Sequence, residues 1–208
     1  MVSAEEQSPR VAARRRQVLD AAIRCFRRHG FHATSMAVIA AEAGMSVGHI
    51  YRYFVGKDEI IQAIVREDVD EALAGMAELE ATSDDVYGKL VEDIDRAADR
   101  SLDLDRAALM VEIRAEAARN PKVAEVVQAA DRVLRANFAR VLAGSKPDGW
   151  SDADIAARVE VMALIFDGVP LRVISHPDLD RAALFGLIQR LLAVLLERPS
   201  SAGRPSGS

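Results

Sequence analysis

The sequence predicts an all-α protein of about nine helices, with a three-helix head at the N-terminus and a larger helical body behind it. Apolar residues recur at helical spacing in one segment after another, and N-cap residues or prolines stand where these segments begin. No segment shows the alternation of a strand. Half of the 208 residues are hydrophobic, which is enough to build a globular core.

The first helix precedes Gly30 and carries an apolar stripe on one side. The stripe consists of Val18, Leu19, Ala22, Cys25 and Phe26. Four arginines, at positions 10, 14, 15 and 16, begin this helix on the side expected to face solvent.

Two short helices joined by a tight turn are predicted between residues 30 and 59. Ser35 and Ser46 are suitable N-caps, because a serine hydroxyl can accept a hydrogen bond from an otherwise unpaired backbone N–H. Gly44 can take the left-handed conformation that ends the first of the two helices. Ile50 and Phe54, four residues apart, are expected to pack inward.

Val47, His49 and Arg52 are left facing outward on the second short helix. This is the layout of a helix-turn-helix, whose second helix presents its N-terminal side chains to the major groove of DNA. Beside such a motif, the arginines of the first helix are either a solvated face or an arm that contacts the DNA backbone.

The body begins with a fourth helix from Lys57 towards Leu73, and a break follows at residues 82–84. The next helices are predicted over about 84–101, about 104–119, from Pro121 to about 141, over 152–174 after an N-cap at Ser151, and from Leu184 to Leu196. Residues 167–170, Asp-Gly-Val-Pro, are expected to bend the penultimate helix.

The charge is unevenly distributed along the chain. The net charge is −5, which alone argues against binding to nucleic acid. However, residues 1–57 hold nine Lys or Arg against four Asp or Glu, whereas residues 58–208 hold eighteen against twenty-eight. A basic head on an acidic body is the asymmetry expected when only one end of the molecule meets phosphate.

The head closely resembles the DNA-binding domain of the TetR family of transcriptional repressors, over roughly residues 12–65. Its signature positions are occupied by Gly30-Phe31, Thr34-Ser35, Ile39-Ala40, Ala43-Gly44, Ser46, Gly48, Tyr51, Phe54 and Lys57-Asp58. So many matches in fixed register are more specific than a general helix-turn-helix pattern. Beyond residue 65 the body resembles the family in architecture only.

The resemblance implies a homodimeric repressor that binds a palindromic DNA operator and leaves it when a small organic inducer binds. The expected DNA-binding residues are Ser35, Ser46, Val47, Gly48, His49, Tyr51, Arg52, Tyr53 and Lys57. Tyr51 and Lys57 are the expected phosphate anchors, with Lys57 at the positive end of the helix that it begins.

The last two helices are the expected dimer contact, because the last one is apolar around more than a single stripe. The alternative is that this helix only fills the core of a monomer. The interface residues predicted are Ile155, Val159, Leu184, Ile188, Leu191 and Leu195. The candidate lining of the inducer cavity is Met110, Arg114, Phe138, Met162, Phe166 and Asp167, although each also suits ordinary core or surface.

No catalytic or metal-binding constellation is recognisable in the sequence. The four histidines are scattered, and Glu112 and Glu116, four apart, look like an ion-pair face beside Arg114 and Arg119. Cys25 is the only cysteine, expected in the core, with a redox sensor as the alternative. No cofactor is expected. Because the sequence lacks a membrane-spanning apolar run and a signal peptide, a cytoplasmic protein is predicted.

The predicted organisation is a flexible segment 1–11, a DNA-binding domain 12–57, a ligand-binding and dimerisation domain 58–198, and a disordered tail 199–208. Two other functions were weighed against the ligand-responsive repressor. One is a protein of the same fold that acts as an adaptor without binding an operator, against which the intact Ser46, Tyr51 and Lys57 argue. The other is a small helical enzyme.

Overall fold

The computed structural model describes residues 9–82, 88–89, 103–144 and 150–196, and all regular structure within them is helical. This confirms the predicted all-α class. The helices are α1 (Pro9–Ala33), α2 (Met36–Glu42), α3 (Val47–Ile50), α4 (Lys57–Thr82), α5 (Leu104–Ala117), α6 (Pro121–Gly144), α7 (Asp152–Ser175) and α8 (Arg181–Leu196). The helix predicted over about 84–101 lies outside the described residues except at 88–89.

The chain forms two compact units. The first comprises residues 1–72 and 103–133, and the second comprises residues 73–102 and 134–208. The first unit therefore joins the predicted head to the start of α4, to α5 and to the start of α6. It is larger than the predicted DNA-binding domain of residues 12–57, because α5 packs directly on α1.

The core of the first unit is built around the apolar side of α1. Val18, Ala22 and Phe26 are almost completely buried there, together with Ile50 and Phe54, which the sequence had directed inward. Phe26 also contacts the ring of Phe31, with 5.4 Å between the ring centroids. This core fixes the two short helices to α1.

The turn between α2 and α3 has the predicted local chemistry. The Ser35 hydroxyl accepts from the backbone N–H of Val38 at 3.2 Å, and the Ser46 hydroxyl accepts from that of His49 at 3.2 Å. Gly44 has φ 64°, so it takes the left-handed conformation expected of it. Both N-caps and the glycine turn are confirmed.

The second unit has its own apolar core between α7 and α8. Ile155, Val159, Met162, Val169, Val173, Phe185, Ile188, Leu192 and Leu196 are buried in it with Leu142 and Trp150. Ser151 begins α7 with a capping box, in which its hydroxyl accepts from the Asp154 N–H while the Asp154 carboxylate accepts from the Ser151 N–H. The Ser151 hydroxyl also donates to the Asp154 carboxylate at 2.6 Å, and this hydrogen bond, together with the one from the Ser151 N–H, lowers the pKa of Asp154.

α7 continues through Gly168 and Pro170 to Ser175 as one helix. Proline removes a helical hydrogen bond and is costly in a helix interior. The helix persists because Val169 and Val173, on either side of the proline, are buried in the core. Among the described residues, no helix is both long and apolar enough to cross a membrane.

Replacing Gly44 with alanine is expected to destabilise the first unit through the backbone alone, because a new Cβ at this position meets no atom within 4 Å. The left-handed conformation costs a residue with a side chain about 1–2 kcal/mol. Urea denaturation should show this loss in the free energy of unfolding. The control is Gly48→Ala, which has equally open space but a helical φ, and which should be neutral or stabilising. Equal stability of the two variants would contradict the assignment.

Candidate nucleic-acid interface

α3 presents one side to solvent and buries the other. Ile50 and Phe54 are at most 1% exposed, whereas Val47 is 42% and Tyr51 is 49% exposed. Gly48 and Arg52 are exposed as well, and His49 is half-buried. The residues that the sequence directed outward therefore lie on one accessible side of α3 and the turn after it. Ser35 and Ser46 are exposed at the N-termini of α2 and α3, where they act as caps.

Two polar side chains of α1 donate hydrogen bonds to backbone carbonyls of the helix-turn-helix. The guanidinium of Arg15 donates to the backbone carbonyl of Tyr53 at 2.6 Å and lies 4.3 Å from the centroid of the Phe54 ring. The amide of Gln17 donates to the carbonyl of Ala43 at 2.7 Å, at the end of α2. The structure thus gives Arg15 an internal role that the sequence analysis did not anticipate.

The neighbouring arginines have different partners. Arg14 donates to Gln17 at 2.7 Å on the exposed surface, and Arg16 pairs with Asp20 and with Glu67 of α4. Arg14 and Arg16 are therefore solvent-exposed in the free protein, as both interpretations of the arginine cluster require.

Tyr53 and His49 contact each other across one turn. The Tyr53 hydroxyl oxygen lies 3.1 Å from His49 Nε2, and the ring centroids are 5.3 Å apart. Both residues were predicted to bind DNA, but nothing in the prediction connected them. The four-residue spacing is the signal that could have done so, because side chains four apart meet on a helical surface.

Lys57 begins α4 and reaches back to Phe31, in the short part of α1 that follows the kink at Gly30. Its ammonium donates to the Phe31 carbonyl at 2.6 Å and lies 4.2 Å from the centroid of the Phe31 ring. Burial lowers the pKa of Lys57, while the carboxylates of Glu116 and Asp58 oppose this shift. Lys57, which is predicted to contact a phosphate, therefore also joins α4 to Phe31 within the first unit.

Glu112 and Glu116 of α5 contact the same segment, at Phe31 and His32. A Glu112 carboxylate oxygen accepts from the Phe31 N–H at 2.6 Å. Glu116 is buried and accepts from Asn120 at 3.1 Å and from Arg119 at 2.9 Å, with the ring of His32 3.1 Å away. The four-residue spacing of these two carboxylates predicted only an ordinary ion-pair face.

The six candidate cavity residues are divided between the two units. Met110, half-buried, and Arg114, exposed, belong to the first unit. In the second unit Met162 is buried, Phe138 and Phe166 are half-buried around its core, and Asp167 is exposed. An open depression of the described surface lies instead at the turn between α7 and α8, where Arg172, His176 and Asp178 contribute to its lining.

The predicted dimer residues also differ in their surroundings. Ile155, Val159 and Ile188 are buried in the core of their own protomer, Leu184 and Leu195 are half-buried, and Leu191 is exposed. Other apolar side chains of the same two helices are accessible, namely Val161, Leu164, Leu171 and Ile174 of α7 and Leu187 and Val194 of α8. Sequence periodicity marked both helices as apolar but did not identify which side faces inward.

Within the described part of the chain, no three His, Cys, Asp or Glu side chains are grouped so that they could hold a metal ion. Cys25 is buried in the core of the first unit, and this burial raises the pKa of its thiol. A buried thiol with a raised pKa is a poor nucleophile, which argues for the core role over the redox sensor.

A helix-turn-helix with an exposed second helix, held on a rigid helical unit, defines a DNA-binding transcriptional regulator. Comparison with known proteins shows that the chain belongs to the TetR family. Residues 18–64 match the model of bacterial regulatory proteins of the tetR family, and residues 91–197 match the C-terminal domain of BetI-type transcriptional repressors. The protein is thus a TetR-family ligand-responsive transcriptional repressor and not an enzyme.

Relatives of known name cover most of the chain. The HTH-type transcriptional regulator UidR of Escherichia coli is 32% identical over 173 residues, which are 82% of this chain and 86% of UidR. The nicotine-responsive repressor HdnoR of Paenarthrobacter nicotinovorans is 30% identical over 169 residues, 79% of this chain and 86% of HdnoR. The structure of Salmonella enterica GusR aligns with a TM-score of 0.76 at 28% identity, covering 92% of this chain and 98% of GusR.

Arg15→Ala is expected to lower stability and operator affinity more than Arg14→Ala does. Both substitutions remove one positive charge from the same turn of α1, so they should weaken long-range attraction to DNA equally. Only Arg15 holds the carbonyl of Tyr53, and a hydrogen bond of a charged group to a partly buried carbonyl contributes about 1.5–3 kcal/mol. Urea denaturation and a mobility shift would measure both effects. Equal losses in the two variants would show that Arg15 acts by charge alone.

Proposed function

We propose that the chain binds a palindromic operator as a symmetric homodimer, and that a small organic molecule bound in its body releases it. The observation that carries the DNA-binding part is the accessible side of α3, supported by a buried core on its other side. Such a regulator acts where the DNA is, in the cytoplasm. The adaptor alternative is not supported, because the exposed side of α3 is intact.

Recognition of the DNA base sequence is assigned to Val47, His49 and Arg52. Gly48 allows α3 to approach the major groove closely. No atom lies within 4 Å of the place that a Cβ of Gly48 would occupy, so its small size leaves open space towards the DNA. The exposed guanidinium of Arg52 is suited to the two acceptors of guanine in the major groove.

Backbone contact is assigned to Tyr51, Lys57 and the capping serines. Lys57 uses one of its three N–H donors on Phe31, so two donors remain for a phosphate oxygen. Its position at the beginning of α4 adds the positive end of that helix. The Tyr51 hydroxyl is exposed and can donate to a phosphate.

Dimerisation is assigned to the accessible apolar sides of α7 and α8. In α8, Leu187, Leu191 and Val194 follow one another at intervals of four and three residues, which is the spacing of one helical side. Leu164 of α7 is 71% exposed and Leu191 is 60% exposed. Large exposed apolar side chains on adjacent helices mark an interaction surface. A second copy of the chain offers the same surface, as a two-fold contact requires.

The inducer is assigned to the body because the described residues offer no other kind of sensor. Of the candidate lining residues, Phe138, Met162, Phe166 and Asp167 share the second unit, and these four are the positions to test. An inducer must bind one arrangement of the two heads better than the other, and a coupling of about 1–3 kcal/mol changes operator affinity about 5- to 150-fold. HdnoR, a relative that responds to nicotine by name, makes a small organic molecule the class of inducer to test.

Arg52→Ala and Lys57→Ala are expected to affect operator binding in different ways. Loss of a base contact should relax selectivity at one position of each half-site, by about 1–3 kcal/mol. Loss of a phosphate contact should weaken binding to all sequences and reduce the salt dependence of log K by about 0.9. Mobility shifts with operator variants at several salt concentrations measure both quantities.

Each of these two variants controls for the other. Lys57→Ala also removes the hydrogen bond to the Phe31 carbonyl and so can lower stability. The operator affinity measured for this variant should therefore be corrected for its folded fraction. A salt dependence unchanged from the wild type would leave Lys57 with the internal role only. A uniform loss across operator variants in Arg52→Ala would exclude a base contact.

Leu191→Asp is expected to give a folded monomer with greatly weakened operator binding. The side chain is exposed in the protomer, so the charge costs the single chain little, whereas in a dimer it would be buried in an apolar contact at several kcal/mol. Light scattering and circular dichroism measure mass and fold. The control is Val55→Asp, which places the same charge at an exposed apolar position of the first unit and should leave the dimer intact. A dimeric Leu191→Asp variant would place the interface elsewhere.

Hydrogen peroxide and EDTA are each expected to leave operator affinity unchanged within about two-fold. Cys25 is buried with a raised pKa, and the described residues form no metal-binding cluster. The mobility shift measures affinity after each treatment, with Cys25→Ser as the matched control for peroxide. Release of the operator by peroxide in the wild type but not in Cys25→Ser would establish a thiol sensor instead of a cavity.

A further inference from the structure

The contact between Tyr53 and His49 has a geometry that can fix the hydrogen-bonding state of His49. The Tyr53 hydroxyl lies 3.1 Å from Nε2 of His49. The ring of Tyr53 packs against the core of the first unit, and its backbone carbonyl accepts from Arg15 at 2.6 Å. Both the ring and the backbone of Tyr53 are therefore held, so its hydroxyl occupies a defined place beside the histidine.

The donor in this hydrogen bond follows from the chemistry of the two groups. A neutral imidazole has one N–H and one lone pair, so Nε2 either accepts from the phenol or donates to it. Phenol is the better acid, with a pKa of about 10, and imidazole is the better base, its conjugate acid having a pKa of about 6.5. The Tyr53 hydroxyl is therefore the hydrogen-bond donor and Nε2 the acceptor, so the single imidazole proton lies on Nδ1.

We infer that Tyr53 is a positioning residue that makes His49 an Nδ1–H donor towards the major groove, and that His49 thereby selects guanine. This inference rests on the proposed operator binding by α3. His49 is half-buried on the accessible side of α3, and its ring makes no further hydrogen bond among the described residues. Guanine presents two neighbouring acceptors, N7 and O6, to such a donor. Adenine offers N7 beside the N6 amino donor, thymine offers O4 beside its methyl group, and cytosine offers only the N4 amino donor, so guanine is the base best matched to a donor.

The same geometry changes the role of Tyr53. A hydroxyl whose only O–H is hydrogen-bonded to His49 cannot also donate a hydrogen bond to a phosphate. Tyr53 then differs from Tyr51, whose exposed hydroxyl can still donate to the DNA backbone. The two tyrosines are two residues apart in the sequence, but their substitution by phenylalanine should have different consequences.

The first test is the tautomer of His49 in the free protein. Long-range ¹H–¹⁵N correlation at about pH 8, where an ordinary imidazole is neutral, distinguishes a protonated Nδ1 from a protonated Nε2. The wild type should show the Nδ1–H form, and Tyr53→Phe, which keeps the ring but loses the hydroxyl, should shift towards Nε2–H. Tyr51→Phe should leave the signal unchanged. An Nε2–H form in the wild type, or no change in Tyr53→Phe, would overturn the inference.

The second test is selection of binding sites from randomised half-sites. The wild type should enrich guanine at one position that loses its preference in His49→Ala. Tyr53→Phe should reduce preference for guanine at that same position by about 2- to 12-fold, the range expected for one hydrogen bond. In a His49→Ala background, Tyr53→Phe should have no further effect on base preference.

The control in this test is Tyr51→Phe, which should weaken all sequences equally. If Tyr53→Phe does the same, Tyr53 is a phosphate contact and the inference is wrong. If the wild type enriches no sequence at all, the proposed operator binding fails and the assignment of guanine fails with it. The tautomer measurement needs no DNA, so it separates that failure from a failure of the His49–Tyr53 pair.

Discussion

The backbone of Phe31 is held by charged side chains at both of its polar groups, and the geometry of the first unit depends on this arrangement. Glu112 of α5 accepts from its N–H, and Lys57 of α4 donates to its carbonyl, each at 2.6 Å. The preceding Gly30 has φ 74°, and a Cβ at that position would lie 3.2 Å from a Glu112 oxygen. The backbone conformation therefore favours glycine, and a Cβ there would also press on the Glu112 carboxylate.

This arrangement links the recognition element to helices far from it in sequence. The part of α1 after the kink at Gly30, which contains Phe31, leads into α2 and then α3. Lys57 stands at the beginning of α4 and Glu112 within α5. Hydrogen bonds that involve a charged group contribute about 1.5–3 kcal/mol, more than the usual neutral pair. A movement of α4 or α5 would therefore act on the same segment that positions the DNA-binding helices. Within the first unit, the positions of α4 and α5 are therefore tied to the segment that leads into the DNA-binding helices.

α3 itself has only four residues, too few to be stable on its own, and its orientation is set by its neighbours. The buried side chains of Ile50 and Phe54 fix α3 to the core, and Arg15 donates a hydrogen bond to the turn that follows α3. The exposed side chains can then serve DNA recognition without contributing to the fold. Val47, Tyr51 and Arg52 remain accessible for this reason, whereas the exposed apolar residues of α7 and α8 lie on helices whose other sides form the core of the second unit.

The sequence by itself determined the helical class, the caps at Ser35, Ser46 and Ser151, the glycine turn at Gly44 and the family. These features depend on neighbouring residues and on periodicity, which are local and can be recognised without a structure. Only the tertiary structure decided that Glu112 and Lys57 share Phe31, that Arg15 supports Tyr53, and that Ile188 is buried while Leu191 is exposed. Such pairings join residues far apart in sequence, or depend on which side of an apolar helix meets the rest of its unit, and periodicity determines neither.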